Sequence, residues 1–176
     1  GGRNVRVFDN IVVDNNTPNF APEGNIVAEV PAGMGVMVMS HYEVEVFENR
    51  FAENGTGNIL IVSYTKGQDD PNYNPKPIGV RVFENDHGRA GYNPAFPGGA
   101  QLKAAFGGAI PPIIEDGTGE NLQIGDDVAI LSMGLTTPGQ SLAEAKPSLV
   151  AGASEPFDGR QLTPITLPQA MEDAIQ

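Results

Sequence analysis

A chain of 176 residues with 40% hydrophobic content is long enough for one domain with its own core, and 22 glycines with 15 prolines fall short of a low-complexity composition. Ten Lys and Arg against 22 Asp and Glu give a net charge of −12, which argues against nucleic acid and anionic lipid as partners. The lack of cysteine excludes disulfide scaffolds and thiolate chemistry, and the two histidines, His41 and His87, are too few for a His-rich metal site. No apolar run reaches the roughly 18 residues of a membrane-spanning helix, and no signal-peptide pattern opens the chain.

In chain order, the first element is residues 4–10, NVRVFDN. It recurs at 43–49 as EVEVFEN and at 79–85 as GVRVFEN, with offsets of 39 and 36. A second element precedes the later copies: 36–40, VMVMS, and 59–63, ILIVS, 23 residues apart. Both are β-branched and apolar without a helical period, so both predict strands. Residues 33–54 then make one complete coil of a parallel solenoid, and 57–94 the next. The Asn/Pro-rich stretch 14–31 and the polar stretch 65–77 enter as loop insertions. The fold expected is all-β: a right-handed parallel β-helix of few coils with long loop insertions and an irregular C-terminal cap. A β-sandwich with coincidental repeats is the competing architecture.

Stacking the copies has consequences for individual residues. In V-x-V the valines face one side of the strand and the middle residue the other. Val5, Val7, Val44, Val46, Val80 and Val82 are therefore expected inside. Arg6, Glu45 and Arg81 are expected in one outward row, with the alternating sign that neighbouring strands prefer. Phe8, Phe47 and Phe83 follow as an outward apolar row. Asn10, Asn49 and Asn85 form a corner ladder whose amides bond along the stack. Val12, Phe51 and His87 share one position, so His87 is expected in the core or at its rim. His41, between Ser40 and Tyr42, is expected in a turn.

Beyond residue 94 the composition shifts: 13 of the 14 asparagines and all four tyrosines lie before it, and nine of the 15 prolines after it. The division expected is 1–93 as coils and 94–176 as a cap or wrap on the same solenoid. A short helix is expected around residues 101–106, a strand at 128–132 and a further short helix at 168–175. The strands 36–39 and 59–62 are apolar at every position, the mark of burial on both faces. Their outward residues Met37, Met39, Leu60 and Val62 thus need shielding, for which Leu102, Phe106, Ile110, Ile113 and Ile114 are the candidates.

The V-x-V-F-[DE]-N units, the loop NNTPNFAPEG (15–24) and the closing PFDGRQLTPITLP (156–168) resemble the C-terminal part of uncharacterised exported bacterial parallel β-helix repeat-containing proteins. The resemblance covers most of residues 4–168. It implies a right-handed β-helix, export to the periplasm or cell surface, and an exported partner protein, with no established activity. The chain departs from the pattern in lacking cysteines near its end, where Gly159 follows Pro-Phe-Asp. It also lacks earlier coils.

Chemistry-bearing constellations are sparse. Asp69, Asp70 and Asn72 in the 65–77 insertion offer hard oxygen ligands for Ca²⁺, set against ordinary turn composition. Otherwise no cofactor is expected. Asn15-Asn-Thr17 and Asn54-Gly-Thr56 match the glycan-acceptor pattern. No phosphate loop, nucleophile elbow or HExxH motif is present. The function expected is a non-catalytic exported module that binds protein or serves as a structural subunit of an envelope or extracellular assembly. The alternative is a carbohydrate-binding or carbohydrate-processing β-helix. The expected interface comprises Asn4, Val5 and Val7 at the first coil with Met37, Met39, Leu60 and Val62. The segment 4–13 is expected to be covered by a neighbouring copy, a partner subunit or further coils.

Overall fold

The computed structural model describes residues 2–66, 70–152, 162–163, 166 and 168–174. Twelve strands are described: β1 (Arg3–Phe8), β2 (Ile11–Val13), β3 (Met34–Met39), β4 (Tyr42–Phe47), β5 (Arg50–Ala52), β6 (Gly57–Val62), β7 (Ile78–Phe83), β8 (Asp86–His87), β9 (Ile113–Glu115), β10 (Gln123–Ile124), β11 (Ala129–Ser132) and β12 (Ser148–Ala151). Two short helices, α1 (Gly99–Ala105) and α2 (Gln169–Glu172), complete them. The protein is mostly β-strand, and the strands form three sheets of order β1-β4-β7-β10, β2-β5-β8 and β12-β11-β9-β6-β3. Every pairing is parallel except β11–β12. From β1 to β9 the chain visits the three sheets in a fixed rotation.

The register follows the sequence repeat. Val5 lies opposite Val44 and Val44 opposite Val80, both in parallel ladders, so the antiparallel sandwich is excluded. The sixth residue of each heptad copy is an acid in the left-handed region: Asp9 at φ 57°, Glu48 at 53° and Glu84 at 56°. This conformation turns the chain out of the first sheet in every rung, and the Asn that follows secures the turn. A second left-handed row runs through Asn4, Glu43 and Gly79 near the beginnings of β1, β4 and β7 and on to Asn121 just before β10.

The interior holds Val38, Val44, Val46, Phe51, Ile59, Ile61, Val80, Val82, Ile113, Ile124 and Ile130. Each such aliphatic side chain contributes about 1.5–3 kcal/mol by leaving water. The sheets run on past residue 94, because β9, β10 and β11 pair with β6, β7 and β9. Ile113, expected in the cover, is therefore an inner residue opposite Ile59. Leu122 and Ile124 repeat the inward V-x-V alternation in a degenerate form. The outer cluster consists of Ile110, Ile114, Leu131, Met133 and Leu135, against which Leu60, Phe96, Leu102 and Phe106 pack. α1 presents Leu102 to this cluster, so residues 94–135 supply inner strands as well as part of the outer cover.

The charged row also differs from expectation. Arg6, Glu45 and Arg81 are in register, on the face opposite the valines. They do not face water: the Glu45 side chain is fully buried, and those of Arg6 and Arg81 are only 12% and 11% exposed. The segment at 162–163 lies over the row. Glu45 accepts from Leu162 N at 2.8 Å, and Arg6 donates to the carbonyls of Leu162 and Thr163. Stacked below them, Phe8, Phe47 and Phe83 form a parallel ring column with centroids 5.1 and 5.0 Å apart.

Candidate functional site

Two surfaces and one buried network gather the residues singled out above. The first surface is the end formed by β1, β2 and β3, each the outermost strand of its sheet. Edge strands leave half of their backbone N–H and C=O groups without ladder partners. At this end Val5, Val7 and Val12 are half-buried, whereas their counterparts one rung inward, Val44, Val46 and Phe51, are fully buried. Of the ten large hydrophobic side chains exposed among the described residues, six lie here or in the adjoining insertion: Phe8, Ile11, Val13, Phe20, Ile26 and Val27. Asn4, the second residue of β1, is exposed and left-handed at φ 55°.

The second surface is a cavity of about 270 Å³ on the outer face of β3 and β6. Met37, Met39, Leu60 and Val62, the outward residues expected to need shielding, form its floor, with Met34, Ile114, Met133 and Phe96 beside them. Its polar neighbours are already engaged. Asp116 accepts from Ser63 N and Oγ at 2.6 and 2.8 Å and from Thr118 N and Oγ1 at 2.8 and 2.7 Å. Thr56 donates to Ala32 O at 2.5 Å. At the rim, Lys66 Nζ is 2.8 Å from Glu29 Oε1, joining the two insertions. The hydrogen bond and charge of Glu29 raise the Lys66 ammonium above its ordinary value near 10.5.

The buried network is the corner ladder, and it has a partner absent from the sequence reading. Asn10 Nδ2 donates to Asn49 Oδ1 at 2.9 Å, Asn49 Nδ2 to Asn85 Oδ1 at 3.0 Å, and Asn85 Nδ2 to Asp126 Oδ2 at 2.9 Å. A second ladder runs beside it. Asn15 Nδ2 donates to Asn54 Oδ1 at 3.0 Å, and Asn54 Nδ2 to Asn58 Oδ1 at 3.0 Å. Asn58 Nδ2 then meets His87 Nδ1 at 3.2 Å, and His87 Nε2 meets Asp126 Oδ2 at 2.8 Å. With an amide donating to Nδ1, the imidazole carries its proton on Nε2 and gives it to the carboxylate. Both ladders end on one buried acid. His87 is stacked on Phe51 in the core with 2% of its side chain exposed, which rules it out as an open ligand or base.

The remaining expectations separate. Asp69 lies outside the described residues. Asp70 Oδ1 accepts from Asn72 N and Nδ2 at 2.8 and 3.2 Å, a turn that binds its own backbone. Among the described residues no group of three or more His, Asp or Glu converges as a metal site. Asn54, one of the two glycan-acceptor matches, is fully buried, so its amide is closed to modification. His41 Nδ1 lies 2.6 Å from Met39 O in the turn between β3 and β4. Asp126 was not legible as a ladder position: β10 pairs with β7 at an offset of 42, so the acid that meets Asn85 lies one residue before the in-register position. No helix among the described residues is long and apolar enough to cross a membrane. Comparison with protein-family models, with curated proteins and with solved structures finds no match for this chain.

Proposed function

We propose that the chain is a non-catalytic module of the right-handed parallel β-helix type in an envelope or extracellular assembly, with its first rung covered by a protein partner or by further β-helix coils. The helical path is supported by the fixed rotation of strands through three sheets, and the right hand by the strong chirality of parallel crossover connections. The periplasmic or cell-surface setting rests on the resemblance of the repeat units, the Asn/Pro loop and the closing segment. One observation carries the docking reading: three outermost strands share one end of the molecule, and Phe8, Ile11 and Val13 on two of them are exposed. Such an edge is a template for strand addition, with backbone bonds supplying affinity and side-chain pockets selecting the partner. The non-catalytic reading is supported by the use to which the buried acids are put. Asp116 accepts four hydrogen bonds and Asp126 three, all from the protein itself. A carbohydrate-processing reading needs basic side chains on an open parallel face, but Arg6 is shielded and paired with Glu45, and Arg81 is paired with Glu43.

The test is photocrosslinking in a native sample, with a photoreactive side chain at Ile11 on the open end or at Lys103 on α1. A discrete polypeptide adduct is expected from position 11 and none from position 103. Equal labelling at both positions, or none at position 11, would end the docking reading.

A further inference from the structure

Four of the five methionines of the chain line the cavity on the outer face of β3 and β6, and the fifth, Met171, is exposed on α2. The strand period accounts for two of them. Met37 and Met39 stand two residues apart on one face of β3, opposite Leu60 and Val62 of β6. Met34 and Met133, both buried, join them in the lining. Further walls come from separate parts of the chain: Ile26 and Val30 from the 14–31 insertion, Phe96 from the turn before α1, and Leu142. A space of about 270 Å³ walled from several segments is a pocket and not merely a bare sheet face.

The polar side chains of the lining have little to offer a guest. The four donors from Ser63 and Thr118 saturate Asp116. Thr56 Oγ1 donates to Ala32 O and accepts from Ala95 N at 2.9 Å. Glu29 is held by Lys66 at 2.8 Å. The Tyr64 hydroxyl is left as the one polar group of these side chains without a hydrogen-bond partner among the described residues. A buried water needs two to four polar partners, so this space does not hold water well. A single neutral hydroxyl also cannot repay the desolvation of a charge or of a peptide backbone. What remains is apolar contact. A dry cavity of about 150 Å³ takes benzene, so this one has room for two fused rings of roughly ten non-hydrogen atoms. Thioether sulfur favours the edge of an aromatic ring, and the unbranched methionine side chain adapts to its outline.

From this lining we infer that the cavity is a binding site for an uncharged aromatic molecule of two-ring size. The site adds a small-molecule ligand to the module and is independent of what covers the first rung. Thioethers are also soft ligands for copper(I). An aromatic guest is favoured because a metal charge would sit among apolar side chains with the nearby carboxylates already committed.

The experiment uses the full chain with labelled methionine methyl groups, followed by NMR, so that Met171 serves as the internal control. The probes are naphthalene, 2-naphthoate and silver(I), the last a stable stand-in for copper(I). Naphthalene is expected to shift the methyls of Met34, Met37, Met39 and Met133 saturably, with half-saturation at or below about 0.1 mM, and to leave Met171 in place. The same rings carrying a carboxylate should bind at least about tenfold more weakly. Val62→Phe, which fills the cavity, should abolish the naphthalene shifts, and Met39→Leu should weaken binding roughly two- to tenfold. The wild-type titrations decide the matter even where a variant fails to fold. No saturable shift with naphthalene, equal binding of naphthoate, or equal displacement of Met171 would each overturn the inference. Stoichiometric shifts of the four methyls by silver(I) with none from naphthalene would overturn it in favour of a soft-metal site.

Discussion

Asn49 is buried with its amide nitrogen 2.9 Å from the carbonyls of Val7 and Phe47 and 3.0 Å from Asn85 Oδ1. An aspartate there would set a carboxylate against three acceptors inside the protein. Asn49→Asp is expected to cost about 3–5 kcal/mol, whereas the same change at the exposed Asn10 should cost about 1 kcal/mol or less. Urea unfolding of the two variants measures the difference, and similar midpoints would contradict the ladder's buried geometry. Lys66 makes the contrasting case. Its pKa is raised in the folded chain, first by the hydrogen bond to Glu29 and then by that residue's charge. A raised folded value means that the pair's contribution is fully present below the ordinary lysine range and is lost as pH rises through the folded pKa. Because the Lys66 side chain is about two-thirds exposed, Lys66→Met is expected to leave the unfolding midpoint at neutral pH unchanged within error. The wild-type Nζ resonance should titrate above the free-lysine value, and that displacement should disappear in Glu29→Gln.

At the scale of the element, each first-sheet strand ends in one left-handed acid, and the three copies place it at the same corner. A β-branched residue meets its own carbonyl in that conformation, so Glu84→Val is expected to destabilise by about 1–2 kcal/mol. Glu84→Gly, which accepts the backbone angle, should stay within about 0.5–1 kcal/mol of the wild type, because glycine relieves the angle but loosens the unfolded chain. Thermal unfolding of the pair separates backbone strain from loss of the acid, and equal destabilisation would show that the carboxylate, not the angle, is needed. The outer face of β6 shows a different economy. Leu60 packs on the outer cluster that Leu102 and Phe106 also join, and it lines the cavity with Met37 and Met39. Methionine suits such a floor because its unbranched, polarizable side chain fills irregular space.

For the molecule as a whole, the inner core does not stop where the repeats stop. Ile59 and Leu60 of β6 pair with Ile113 and Ile114 of β9, and Arg81 and Val82 of β7 with Gln123 and Ile124 of β10. A chain ended after residue 93 would bare β6 and β7 as edges, remove Asp126 from both ladders and take away the cluster on which Leu60 packs. It is expected to aggregate or unfold. Sedimentation and circular dichroism check this, and a soluble, cooperatively unfolding 1–93 fragment would contradict it.

The repeat of V-x-V-F-acid-Asn determined which strands pair, in what direction and in what register. A two-residue period leaves no freedom once one face is buried, and three copies at nearly equal offsets fix the neighbours. The Asn ladder and the Phe column were legible for the same reason, since identical residues at identical positions must meet. Burial of the charged row was not legible. Alternation puts Arg6, Glu45 and Arg81 on the face away from the valines, but only the tertiary structure brings Leu162 and Thr163, more than 110 residues from Glu45, over them. The rungs at β9 and β10 were hidden too, because Ile113 and the Leu122–Ile124 pair keep the inward alternation while losing the Phe and Asn that made the earlier copies recognisable. The meeting of the two ladders at Asp126 also belongs to the tertiary structure. His87 and Asp126 are 39 residues apart, and the hydrogen bonds that join the two ladders exist only once donors and acceptors have been brought into line.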